Sequence, residues 1–286
     1  MKVLVIGLGL IGGSMAIDLK TTRKDIVLMG YDANEDHLNT ALSLGLIDGK
    51  ASLEDAASSD VVIVSIPVNV SLKVIPNVLD IVKDDTLVFD VGSTKANICK
   101  VVSEHPNRRN FLAAHPIAGT EYSGPKAAIS GLYKGKTNIV CEVEKTAFKV
   151  QERAMEIFND LGMRIRYMDP EAHDRHIAYV SHLSHISSFM LGKTVIEKER
   201  NERDIFDMAG SGFESTVRLA KSSPAMWSPI FEQNKENVIE TLEEYIVNLQ
   251  RFKDLMEAND FQAIYKEMED TNRIKEILKG ITIKSS

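Results

Sequence analysis

The chain reads as an α/β protein, with an N-terminal Rossmann-type doubly wound, mostly parallel sheet followed by an all-α C-terminal domain. Three observations predict this. Short apolar, β-branched runs alternate with helical segments up to residue 168. A Gly-x-Gly-x-x-Gly turn joins the first strand to the first helix. Strand signal then fades at Asp169-Pro170, and only long helical periodicity follows. Two domains are therefore expected, 1–168 and 169–286.

The first 32 residues organise the rest. Lys2-Val3-Leu4-Val5-Ile6 is long enough for a buried strand, and Met15–Leu19 suits a helix. Between them stand Gly7, Leu8, Gly9, Leu10, Ile11 and Gly12, and the second apolar run, Ile26–Tyr31, stops at Asp32. This is the setting in which a Gly-x-Gly-x-x-Gly turn seats a dinucleotide. Gly7 permits the tight turn, Gly9 lets a pyrophosphate approach the backbone, and Gly12 lets helix and strand pack closely. The pyrophosphate rests on unpaired N–H groups at the positive helix end. Asp32 would accept hydrogen bonds from ribose hydroxyls and repel a 2′-phosphate. No Arg follows it in Ala33-Asn34-Glu35, so NAD is expected rather than NADP. A glycine-rich turn that binds nothing is the competing reading.

Further along, residues 34–44 fit a helix with Leu38, Leu42 and Leu44 inward. Asp60–Ser65 is the next strand, and Asn69–Val82 a helix. Ser65, Ile66 and Pro67 follow that strand's carboxyl end, where open parallel sheets bind ligands, so they should border the cofactor. Thr86–Asp90 is a strand running into Val91-Gly92-Ser93-Thr94-Lys95, which places Gly92 at the same edge. Phe111–Ala114 is a strand ending at His115-Pro116, while Lys136–Val143 and Arg164–Met168 are strand-like around a helical Ala147–Leu161. Helices are expected over 171–199, 203–221, 227–257 and 260–279, broken by Gly210-Ser211-Gly212, Pro224, Pro229 and Asn259-Asp260. The first carries Ile177, Val180, Leu183 and Leu191, and its length suits packing against other helices, including those of a second subunit.

Composition narrows the class. At 286 residues with a net charge of −7, the chain has core enough for two domains and argues against nucleic acid as a partner. Cys99 and Cys141 form no disulfide framework or metal spacing. Met1 leads straight into the first strand, and the longest apolar stretch, near Val61–Val70, is too short for a bilayer and contains Pro67. A soluble cytoplasmic protein is expected.

Several polar residues suit chemistry. His115 ends a strand on the cofactor edge, and an imidazole titrating near working pH can take a hydroxyl proton as a hydride leaves. A structural histidine bonded to backbone fits that position equally. Ser93 could orient His115, although a helix cap is the usual meaning of a Ser there. Glu121, beside Thr120, could close the site or engage Arg218; a solvated carboxylate is the plainer alternative. His173, His176, His182 and His185 fall in one helical stretch, but no Cys or carboxylate completes a tetrahedral set, so no metal is expected. His182 and His185, with Ser181 and Ser184, read as contacts to an anionic ligand. A carboxylate substrate needs a cation such as Arg218, and Trp227 reads as a core or interface anchor.

Taken together, these residues resemble the prephenate/arogenate dehydrogenase family of tyrosine biosynthesis over nearly the whole chain. The match runs through Gly7–Gly12, Gly92–Lys95, His115–Gly124, His173-Asp174, His182–His185 and the stretch from Arg218 to Trp227. The run His115-Pro116-Ile117-Ala118-Gly119-Thr120-Glu121 is the most specific part. The resemblance implies an NAD-dependent oxidative decarboxylation of prephenate to 4-hydroxyphenylpyruvate. In it His115 is the catalytic acceptor, Ser93 orients it, and Arg218, His182, His185, Glu121, Thr120 and Trp227 line the substrate. It also implies a homodimer through the helical domain, with Trp227 a candidate for a wall supplied across the dimer. The chain offers no expected extension for a chorismate mutase or a regulatory ACT module. Arogenate dehydrogenase, a β-hydroxyacid dehydrogenase and a non-catalytic NAD sensor stay open as alternatives.

Overall fold

A computed structural model describes residues 1–285 except 201 and 203, with side chains through residue 279. The first strand, β1 (Lys2–Ile6), sends alternate residues into two separate cores. Val3 and Val5 face one, Leu4 and Ile6 the other, all fully buried. Burial on both faces is why these strands read as unbroken apolar runs.

The chain continues through α1 (Leu10–Thr22), β2 (Val27–Tyr31), α2 (Glu35–Ser43), a two-residue strand β3 (Gly49–Lys50), β4 (Val61–Val64) and α3 (Val68–Ile81). Then come β5 (Leu87–Asp90), α4 (Ala96–Val102), β6 (Phe111–Pro116), β7 (Thr137–Cys141), α5 (Phe148–Asp160) and β8 (Arg164–Tyr167). The sheet order is β3-β2-β1-β4-β5-β6-β7-β8. Strands β1 to β6 are parallel, and β7 turns antiparallel against β6 with β8 parallel to it. Helices α1, α2 and α5 cover one face, where Phe89 meets Phe158 edge-on at 5.3 Å. Helices α3 and α4 cover the other. The order reverses between β1 and β4, and a ligand crevice opens at such a switch point.

The helical part starts where Asp169 accepts a hydrogen bond from the Ala172 N–H at 2.9 Å, with Pro170 at the first helical position. It comprises α6 (Pro170–Ile177), a π-helical turn (Ala178–His182), α7 (Leu183–Glu199), α8 (Ser211–Val217), α9 (Pro224–Gln233), α10 (Lys235–Glu257), α11 (Phe261–Thr271) and α12 (Ile274–Ser285). The 171–199 segment is thus helical throughout, but with a π turn inside it. Val68 of α3 packs against Trp227 and Ile230 of α9 and joins the two parts.

The structure corrects three expectations. Leu42 and Leu44 point outward, because α2 stops at Ser43 and Gly45, at φ +70°, turns Leu46 and Ile47 into the core instead. No single helix spans 203–221. Its expected start at 203 lies outside the described residues, and the remainder is α8 between short 3-10 turns, beginning after Gly210. The segment 227–257 divides at Asn234, whose side chain is drawn into the site described below.

Candidate active site

The glycine turn is shaped by contact distances. Gly7 sits at φ +92°, and a Cβ there would lie 2.1 Å from the Ser65 carbonyl oxygen. A Cβ on Gly12 would lie 2.1 Å from the Gly7 carbonyl oxygen. Gly9 differs: nothing stands within 4 Å of its missing Cβ. As the N-cap of α1, Gly9 brings no side-chain acceptor, and no acid stands in the first turn. The first-turn N–H groups are therefore free to meet an anion. Asp32, at the end of β2, accepts hydrogen bonds from the Leu8 and Asn34 N–H groups, each at 2.9 Å. The open ground over Gly9 and this adjacent carboxylate fit a pyrophosphate and a ribose diol. Ser65, Ile66 and Pro67 continue from β4 along the same edge, and Gly92 is fixed there by donating to Asp90 at 3.0 Å.

His115 lies on β6 at that edge. Its Nδ1 is 2.8 Å from Nε2 of His173, and His173 Nδ1 is 2.7 Å from the Asp174 carboxylate. Asp174 in turn accepts from the backbone N–H groups of Lys95 at 2.7 Å and Ala96 at 2.9 Å, so one helical-domain carboxylate caps α4 of the sheet domain. Burial first, and then electrostatic coupling to His173, Lys95 and His182, holds His115 well below the usual imidazole range. That setting favours the neutral imidazole.

The π turn and α7 supply the opposite wall. His182 is fully buried; its Nδ1 is 3.2 Å from the Asn234 amide, and its Nε2 makes no hydrogen bond among the described residues. Burial pushes it down to about 4, against the opposing pull of Asp174. His185 stacks on Trp227 with ring centroids 3.5 Å apart and donates from Nδ1 to the Ser181 carbonyl oxygen at 2.9 Å. Burial also lowers His185, helped by Arg218. Arg218 meets Glu121 at 2.9 Å, its guanidinium half exposed. The Glu121 carboxyl is held below its usual range by its own backbone N–H and by Arg218. Thr120, adjacent, accepts from the Tyr122 N–H at 3.3 Å.

Contacts link His115, His173 and Asp174 through Asn234 to His182 and on to Trp227 and His185, and Arg218 to Glu121. Ser93 makes no hydrogen bond among the described residues, and the group that meets His115 is His173. Trp227 stacks on His185 of its own chain. The four histidines do not converge: His176 is exposed, and His173 turns to His115. His173, Asp174, Lys95 and Asn234 carry the geometry although the residue patterns gave them no role. The signals for that region were the Asp-Pro helix start and the family resemblance at Gly92–Lys95 and His173-Asp174.

Comparisons agree with this architecture. The family model "Prephenate dehydrogenase, nucleotide-binding domain" matches residues 15–167, and "Prephenate dehydrogenase, dimerization domain" matches 169–270. The prephenate dehydrogenase of Bacillus subtilis is 29% identical over 268 residues, covering 92% of this chain and 72% of that protein. The cyclohexadienyl dehydrogenase of Zymomonas mobilis is 27% identical over 278 residues, covering 96% of this chain and 95% of its own. The crystal structure of A. aeolicus prephenate dehydrogenase, solved with hydroxyphenyl propionate and NAD+, superposes with a TM-score of 0.87. It is 32% identical and covers 97% of this chain and 98% of that one.

Proposed function

This chain belongs to the prephenate dehydrogenase family, and from that premise we propose that it oxidises prephenate in preference to arogenate, with His115 as the acceptor of the substrate hydroxyl. It is an NAD-dependent oxidoreductase of tyrosine biosynthesis. What supports the residue assignment is the position of His115: buried near the end of β6, held well below the ordinary imidazole range by that burial, with its Nδ1 on His173.

NAD, when bound, supplies the hydride acceptor; Gly7–Gly12, Asp32, Ser65–Pro67 and Gly92 would hold it. His115 accepts the hydrogen bond of the ring hydroxyl and draws charge onto that oxygen as the hydride leaves the same carbon. Loss of the ring carboxylate as CO₂ sends its electron pair into the ring, which becomes aromatic. Arg218 binds a substrate carboxylate in exchange for Glu121, its partner in the structure. His182 Nε2 and Trp227 Nε1, both buried without a hydrogen bond among the described residues, offer further polar contacts. Ser93 and Thr120 belong to the same substrate site in this reading.

We propose the domain division at 168/169, a cytoplasmic location in keeping with the family's biosynthetic role, and a homodimer through the helical part. No described helix is long and apolar enough to cross a membrane. Exposed Ile246, Val247, Leu249, Phe252 and Phe261 on α10 and α11 support the dimer. The deciding experiment follows NADH formation with prephenate and with arogenate in parallel. Turnover of prephenate at the higher kcat/KM is expected. Preference for arogenate would overturn the substrate assignment, and a protein inert on both would overturn the function.

A further inference from the structure

We infer that His173 and Asp174 are positioning residues that fix His115 in its Nδ1–H tautomer, leaving Nε2 as the open acceptor for the substrate hydroxyl. This rests on the reading of His115 given above and adds to it a chain of donors and acceptors. Asp174 Oδ1 receives the Lys95 N–H at 2.7 Å, and Oδ2 receives the Ala96 N–H at 2.9 Å. Backbone N–H groups only donate, so the carboxylate presents acceptors throughout. His173 Nδ1, 2.7 Å from Oδ1, must then carry a proton. In a neutral His173 the lone pair lies on Nε2, 2.8 Å from His115 Nδ1. That Nδ1 must donate, which leaves Nε2 of His115 bare.

The same wire serves the proton once it is taken. When the substrate O–H bond breaks and an Nε2–H bond forms, His115 becomes a cation, and the same proton returns to that oxygen as CO₂ leaves and the ring becomes a phenol. The Nδ1–H of His115 already points at the His173 lone pair, and His173 at the Asp174 carboxylate. Positive charge formed in a buried place is thereby faced by a fixed negative group, the logic of an oriented base. A cationic His173 would do the reverse. It would donate from both nitrogens, force His115 into its Nε2–H form, and leave the substrate hydroxyl without an acceptor. His173 and Asp174 are each 2% exposed, so solvent does not stand in for either.

The tautomer is read directly by nitrogen NMR of protein carrying isotope-labelled histidine, without turnover. Wild-type His115 is expected to show a protonated Nδ1 and a bare Nε2. The His173→Leu variant removes the acceptor and should shift His115 toward Nε2–H. Its kcat should fall by about 100-fold or more, while prephenate KM and NAD affinity stay within about twofold. His173→Gln returns a carbonyl acceptor to Nδ1 and should recover at least about tenfold of that loss. An Nε2–H form of His115 in the wild type would overturn the inference, whatever the variants do. So would a folded His173→Leu enzyme with unchanged kcat. If the wild type turned over neither cyclohexadiene yet showed the Nδ1–H form, the functional reading would fail and the wire would stand.

Discussion

Lys95 donates to the Asp90 carboxylate and, at 2.8 Å, to the carbonyl oxygen of Ala114, with both charged side chains closed off from water. The residue after Ala114 is His115, so this ion pair anchors the end of β6 from beneath. Burial favours the neutral form of Asp90, and the contact with Lys95 opposes it. Removing one partner strands the other. Lys95→Met is expected to lower unfolding free energy by about 3–5 kcal/mol, and the double change Asp90→Leu, Lys95→Met to recover much of that. Urea unfolding decides; a single variant as stable as the wild type would mean that the pair contributes no structural constraint.

The pH dependence of kcat/KM reports the protonation of the free enzyme. In the proposed role His115 acts only when neutral, and burial, with His173, Lys95 and His182 beside it, depresses its proton affinity. Activity should therefore be flat from near neutrality downward and fail only well below the ordinary imidazole range. An acid limb centred at or above that ordinary value would place His115 in water and contradict its buried setting.

His182 makes the fold acid-sensitive. Its folded value of about 4 lies below the ordinary 6.5, so between these the unfolded chain binds the proton and the folded chain does not. Stability is then full above about pH 6.5 and declines as pH falls toward 4, by about 3 kcal/mol from this residue. Thermal unfolding of the wild type and His182→Phe at several pH values tests this. The variant should lose part of the slope, and an unchanged slope would assign it to other groups.

The dinucleotide turn and the strand set were legible because both are local. Buried parallel strands are continuous apolar runs, and Gly7, Gly9 and Gly12 lie within six residues of one another. The wire behind His115 was not. Asp174 reaches Lys95 across 79 positions and between domains, and no spacing announces such a contact. The π turn at Ala178–His182 changes which residues share a face, so regular helical spacing could not say which of the four histidines turn inward. Leu42 and Leu44 failed for a related reason, since a one-residue turn at Gly45 reassigns the core positions to Leu46 and Ile47.

Arg218 is half exposed and held by Glu121, a partner that a substrate carboxylate would displace in the proposed role of Arg218. Arg218→Ala should raise prephenate KM with little change in kcat. A lost charge-assisted bond of about 1.5–3 kcal/mol corresponds to roughly a 10- to 150-fold rise. Steady-state kinetics separates the two constants. A fall in kcat at constant KM would instead tie Arg218 to the transition state alone.

Gly9 and Gly7 should fail in opposite ways when replaced by Ala. Gly9 has an extended backbone, φ −74° and ψ −161°, and open space where a Cβ would stand. Gly9→Ala should fold with stability within about 0.5 kcal/mol of the wild type. Its methyl would nonetheless occupy the ground over which a pyrophosphate approaches, and NAD affinity should fall at least about tenfold, some 1.4 kcal/mol. Gly7→Ala places a Cβ against the Ser65 carbonyl at a positive φ, and should lose stability by roughly 1–3 kcal/mol or more before binding is considered. Thermal melts paired with NAD titrations separate the two effects. Normal NAD binding by Gly9→Ala would mean that the pyrophosphate does not cross Gly9, and the assignment of the turn as its seat would have to be abandoned.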